Sequence, residues 1–267
     1  MVSKALFKQA VKSNYLVVLI FMAVLTMYMS IMVSMYDPKT NDKMLELMAS
    51  LPPQMMSAFG FKATDSTLIG FLASYFYGFL ILIFPMIFEI IISNRLIAKQ
   101  VDKGSMAYLL ATPNTRKKII LTYGLFIFLA ITILIVFTTI IGIAFSETMF
   151  SGMLDKKEFV MLNIGALLLH YTISGICFFS SCVSNDTKYS MSFGAGVPIA
   201  FFLIQMLANM GGKLESLKFA TIFSLFNPTN IISGDISVIP SFIALGVIAL
   251  ALYLAGILVF NKKDLFL

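Results

Sequence analysis

Charge vanishes from this chain for long stretches. Six runs carry no Lys, Arg, Asp or Glu: Ser13–Tyr36, Ser66–Phe88, Ile119–Ser146, Phe159–Asn185, Tyr189–Gly212 and Ile236–Asn261. A helix rises about 1.5 Å per residue, so about 20 apolar residues cross a hydrocarbon layer about 30 Å thick. Each run is long enough to cross. The pattern predicts an all-α, polytopic membrane protein with six transmembrane helices, at about 15–35, 67–91, 118–145, 159–182, 189–209 and 239–260.

Between the runs the periodicity changes. Residues 1–14 read as an amphipathic interfacial helix. Lys4, Lys8 and Lys12 recur every four residues, and Leu6, Phe7, Ala10 and Val11 supply an apolar side. In the outer loop 36–66, Met44, Leu47, Met48 and Leu51 follow a helical stripe that Pro52-Pro53 stops. That loop is too apolar to be solvated and is expected to rest on the membrane surface or cap the bundle. The outer segment 210–238 contains Phe219–Phe226, too short to span, then Asn227-Pro228, Ile231-Ile232 and Gly234. Such lengths suit re-entrant or interfacial pieces. Pro85 and Pro198 interrupt the second and fifth spans, so neighbours must satisfy the carbonyls they free. Gly194, Ala195 and Gly196 permit close helix approach in the fifth. Pro240 stands where the sixth helix begins, a position proline tolerates.

Charge sets the orientation. Charged residues are 12% of the chain, about half the share in soluble domains. With a cytoplasmic amino terminus, the inner segments hold Lys4, Lys8, Lys12, Arg95, Lys99, Lys103, Arg116, Lys117, Lys118, Lys188, Lys262 and Lys263. These are 12 of the 19 basic residues, and the positive-inside rule favours that arrangement. The net charge of +6 is then a topology signal facing anionic lipid, and no nucleic-acid partner is implied. Cys177 and Cys182 are five residues apart and point to different helix faces, so neither a disulfide nor a metal site follows. The first apolar run is too long for a cleavable signal peptide and reads as a permanent span.

Chemistry is sparse. HExxH, GxSxG, paired aspartates and the GxxxxGK[ST] phosphate loop are all absent from the sequence. No catalytic residue, metal or cofactor is assigned to this chain, and any ATP-driven function needs its engine in another subunit. The single histidine, His170, falls near the middle of the fourth span. It reads as a neutral imidazole bonded to a hydroxyl or backbone group, with a role in gating or transport as the alternative. Glu89 lies near the inner end of the second span, within reach of a cytoplasmic lysine or arginine, and reads as a structural anchor, with a mechanical role at the inner gate as the alternative.

The inner loop 92–117 is more informative. Ser105–Ala111 predicts a short helix with Asp102 near its positive end, and Thr112-Pro113 reads as cap and first-turn proline of the third span. The loop thus presents Met106, Tyr108, Leu109 and Leu110 from a basic surround, an apolar plug for a groove on a cytosolic partner. Asp102, Gly104-Ser105, Leu109-Leu110 and Pro113–Arg116 stand where type-2 ABC exporter permeases carry an acidic residue, a Gly-Ser or Gly-Thr pair, a Leu-Leu step and Pro-x-x-Arg. The chain resembles that family along its whole length, through its six spans, amino-terminal helix, Phe226-Asn227-Pro228 and Phe260–Leu265 tail. It departs at Lys99 and Gln100, where many relatives place a carboxylate.

The resemblance implies the family's architecture and role. Two permease copies would work with two copies of a separate ABC ATPase that binds ATP and Mg, docked through Asp102, Gly104, Ser105, Met106, Tyr108, Leu109, Leu110, Pro113 and Arg116. The path would run between protomers along spans two and five, with Phe84, Met86, Glu89, Phe193 and Phe202 as candidate wall residues. The setting would be a bacterial cytoplasmic membrane, with both termini inside. This version of the loop is similar to Gram-positive permeases that export amphipathic peptides, including phenol-soluble modulins. Eighteen methionines and 26 phenylalanines offer adaptable apolar surface for hydrophobic or amphipathic peptides. Export of a drug, lipid or ion, or a non-transporting anchor or sensor, are the alternatives.

Overall fold

A computed structural model of the chain describes residues 2–37, 53–61 and 67–263. Six of its helices are long and apolar enough to cross a membrane. They are α1 (Lys4–Met35), α3 (Leu68–Asp102), α5 (Arg116–Met149), α6 (Lys156–Val183), α7 (Thr187–Asn209) and α9 (Val238–Lys262). Short helices α2 (Pro53–Ala58), α4 (Ser105–Leu110) and α8 (Pro228–Ile232) lie between them, together with 3-10 segments Gly212–Ala220 and Ile222–Leu225. No strand occurs among the described residues.

Polar residues set the helix starts. Thr67, Thr115, Asp155, Asp186 and Asn227 each accept backbone N–H bonds from the first turn they precede. Two expected boundaries move as a result. The third span opens at Arg116 on a Thr115 cap, whereas Thr112 turns its hydroxyl back to the Leu109 carbonyl at 2.5 Å and closes α4. The second span runs on to Asp102, because no Gly or Pro lies between Glu89 and Lys103, so the first eleven residues of the expected 92–117 loop continue its helix. Pro240 occupies the third position of α9.

The amino-terminal expectation is corrected too. Residues 4–14 are not a separate interfacial helix, since they continue the first span as one 32-residue helix. No Gly or Pro lies between Lys4 and Met35 to turn the chain into the membrane plane. The Ser3 N–H ties that helix start to Thr122 Oγ1 of α5 at 3.0 Å. The stripe of Met44, Leu47, Met48 and Leu51 lies outside the described residues, as does the Asp264-Leu265 end of the tail.

The core centres on α6, which packs against α9, α7, α5 and α3. Close approach there depends on missing side chains. A Cβ on Gly142 of α5 would meet Phe159 of α6 at 2.5 Å, and one on Gly256 of α9 would meet Phe178 at 2.9 Å. Cross-helix hydrogen bonds add registration. Thr172 donates to the Leu245 carbonyl at 2.9 Å, and the Tyr253 hydroxyl donates to Ser174 at 2.9 Å. At the end bearing both chain termini, Arg95 donates to the Ser13 carbonyl at 3.0 Å and Arg116 to the Lys263 carbonyl at 2.6 Å.

Candidate coupling surface and membrane core

The short helix α4 is aimed by its approach. Gly104 carries φ of +70°, the left-handed conformation that glycine adopts at least cost, and it turns the chain off the end of α3. The Ser105 hydroxyl bonds the Gln100 carbonyl at 3.1 Å and also the Gln100 side chain, holding α4 against the last turn of α3. Met106 is fully buried and anchors α4 in the bundle, while Leu109 and Leu110 are half-buried against the core. Tyr108 is 80% exposed. The apolar tip expected from four residues therefore narrows to one protruding ring on a buried root. Asp102 and Pro113 are exposed beside it.

Arg116 has a local duty, because its guanidinium holds the Lys263 carbonyl. Lys263 in turn donates its ammonium to the carbonyls of Cys182 and Ser184, at 3.2 and 2.5 Å, where α6 ends. Burial pushes its pKa down to about 8. Lys263 thus fastens three helix ends together, a use that its place at the end of an apolar run only hinted at.

In the membrane interior, the expectation of a lysine or arginine partner for Glu89 is corrected. Glu89 Oε1 lies 2.9 Å from His170 Nδ1, and both side chains are fully buried. The other ring nitrogen, Nε2, lies 2.8 Å from the Ile81 carbonyl.

The other candidate wall residues do not converge. Met86 and Phe202 are buried inside the protomer, and the Phe202 ring meets Phe79 and Phe223 at 5.9 and 5.7 Å. Phe84 packs on Tyr28 at 4.8 Å. Phe193 is 61% exposed on the outward face of α7. In this conformation, Met86, Glu89 and Phe202 wall no open surface.

Sequence reasoning missed a cleft of about 370 Å³ at the opposite end of the bundle. It lies between α3 and α7 under the 3-10 segments, and its lining includes Ser74, Tyr77, Gln205, Asn209, Asn227 and Thr229. The Tyr77 hydroxyl is buried beside the Asn163 side chain. Gln205 donates to Asn209 at 2.9 Å and leaves its own Oε1 unpaired. Glu215 and Lys218, also in the lining, pair at 2.8 Å, which holds the Glu215 carboxyl below the usual carboxylate range. The described lining mixes polar and apolar groups, and its charged residues, Glu215 and Lys218, are paired with each other. Gln205 and Asn209, one turn apart at an apolar helix end, and the Phe226-Asn227-Pro228 step were its sequence signals.

Residues 2–265 match the family model described as ABC-2 family transporter protein. The chain belongs to the ABC-2 transporter family. A comparison with curated proteins returned no match. This ABC-2 permease is therefore a transmembrane subunit of an ABC transporter, a multi-pass membrane protein of a family whose permeases normally work with an ATPase partner.

Proposed function

We propose that this permease is half of the membrane part of an ATP-driven exporter of hydrophobic or amphipathic peptides. Two copies pair about an axis normal to the membrane, and two separate ATPase subunits holding ATP and Mg dock beneath α4. The terminal end faces the cytoplasm of a bacterial cell, as its basic residues favour. The observation that carries this reading is α4 itself, where Met106 roots the helix in the bundle and Tyr108 stands 80% exposed. A plain turn needs no buried root and no bare aromatic ring.

Two further features support it. Ser192, Gly196 and Ala200 recur every four residues on the exposed face of α7, small side chains that let a second copy approach closely. The polar groups of the described lining suit the amide groups of a peptide, and the pairing of its charged residues, Glu215 and Lys218, disfavours a path for bare ions. Phe193 and Phe84 stay candidates for the wall between protomers. Met86, Glu89 and Phe202 join it only if α3 and α7 separate.

Replacing Tyr108 with Asp tests the docking. The ring reaches solvent, so the variant is expected to insert and fold normally. Burying its charge in a partner groove costs about 2 kcal/mol or more, and the ATPase should be lost on purification. Retention of the ATPase with unchanged transport would reduce α4 to a connector. In proteoliposomes, amphipathic peptide should stimulate hydrolysis. Stimulation by sodium or by lipid alone would move the substrate out of the peptide class.

A further inference from the structure

The Glu89–His170 contact gains its meaning from Pro85. In a helix the carbonyl of residue 81 accepts from the N–H of residue 85, and proline has none. The Ile81 carbonyl is thus freed in the interior of α3, where an unpaired polar group is costly. His170 Nε2 of α6 occupies that carbonyl at 2.8 Å. Ile81, Pro85 and Glu89 follow one another at intervals of four, so they share a face of α3, and His170 meets that face both before and after the proline.

The proton count is constrained by the partners. A carbonyl only accepts, so Nε2 carries the hydrogen and donates it. Nδ1 then either accepts from a protonated Glu89 or donates to an ionised one. In both cases a single proton is shared and the pair has no net charge. Glu89 selects the tautomer, and the tautomer supplies the missing donor.

We propose that His170 is a positioning residue that bridges the proline gap of α3, and that Glu89 orients its ring to do so. The consequence is mechanical. Above the gap, α3 carries Tyr77, Gly78 and Leu82 into the cleft, and below it α3 leads to Gly104 and α4. One imidazole fixes how the α4-bearing half is aimed relative to the cleft-lining half. This holds whatever the substrate is.

The chain's one histidine makes the site readable on its own. With selective ¹⁵N-histidine labelling and a purification tag free of histidine, solid-state NMR of the full complex in lipid should show one imidazole protonated at Nε2, with Nδ1 hydrogen-bonded to the carboxyl. Glu89→Gln should preserve the Nε2–H form, since the amide N–H donates to Nδ1. Glu89→Leu should return Nδ1 to the shift of a free acceptor. A wild-type ring protonated at Nδ1 alone overturns the proposal. The bend is read separately. Thr67 and Lys99 are exposed and 32 residues apart, about 48 Å along a helix. Thr67→Cys and Lys99→Cys can carry spin labels while Cys177 and Cys182 stay buried. The distance distribution should be narrow in the parent and in Glu89→Gln. It should broaden in Glu89→Leu and most in His170→Leu. Should His170→Leu fail to fold, yield in the His170→Leu, Pro85→Ala double variant decides, because alanine returns an N–H to the Ile81 carbonyl. Recovery of folded protein or of the narrow distribution supports the bridge. Failure of Pro85→Ala to restore either, or a parent-like distribution in His170→Leu, refutes it.

Discussion

Helices α6 and α9 cross the same membrane and are packed against each other, yet they are built on opposite plans. α9 is among the most apolar of the six, and only 17% of its most apolar 18-residue stretch is buried. α6 is the least apolar, and 61% of the corresponding stretch is buried. Asn163, His170, Thr172, Ser174, Ser180 and Ser181 of α6 all face the interior. The outer face of α9 shows Ile243, Val247, Leu250, Leu254 and Leu258 instead. In lipid the hydrophobic effect does not drive one helix onto another, so apolar side chains gain nothing by turning inward. Between these two helices hydropathy follows lipid contact, and the inward face of α6 is marked by its polar residues.

The comparison breaks first, if anywhere, at His170. His170→Ala leaves Glu89 buried and the Ile81 carbonyl unpaired, and removing one member of such a pair costs about 3–5 kcal/mol. Folded yield in mild detergent should collapse. Leu250→Ala on α9, at a site 61% exposed, should change thermal stability by less than about 0.5 kcal/mol. If both variants melt alike, α6 is not the hub.

Gly256→Ala sharpens the same contrast within α9. Its new methyl would meet the Phe178 ring at 2.9 Å, and overpacking of this kind costs about 1–3 kcal/mol. Gly246→Ala has only Leu168 nearby, at 4.0 Å, and should be almost silent. A thermal shift ranking Gly246→Ala above Gly256→Ala would contradict the packing of α9 on α6.

These contrasts also explain what the sequence made legible. The six spans follow from charge-free length, a local property, and α4 follows from Gly104 and the turn chemistry around it. The break expected after residue 14 and the boundary at Thr112 were misplaced for local reasons too, since no residue breaks α1 and Thr115 has the better capping geometry. Contacts across the fold were harder. Nothing near Glu89 in sequence names His170, 81 residues away, although the spacing of Ile81, Pro85 and Glu89 marked the face where a donor was needed. The cleft escaped notice because it is assembled from α3, α7 and the segment after Gly211, each unremarkable alone.

A smaller effect is expected at Thr172, whose hydroxyl donates to the Leu245 carbonyl and joins α6 to α9 directly. Thr172→Val keeps the shape and deletes the bond. Interhelical hydrogen bonds in membranes average about 0.6 kcal/mol, so the loss should be near that value. A cost several times larger would mean that polar bonds, more than close packing, hold the two helices together.

A pH dependence is expected where α6 and α9 meet at the terminal end. Lys263 releases its proton near pH 8 in the folded chain, because burial disfavours the ammonium, and near 10.5 in the unfolded chain. Between those values the unfolded state binds more protons, so this group's contribution to stability rises with pH across the window and is unfavourable below it. Lys263→Met removes the titrating group together with its bonds to the Cys182 and Ser184 carbonyls. The melting temperature of the parent, measured relative to Lys263→Met, should therefore climb from pH 8 to pH 10. A difference that stays flat would place the ammonium in solvent and leave the end of α6 held by Arg116 and the backbone alone. One that falls would mean that the two carbonyls hold the charged form more strongly than burial opposes it.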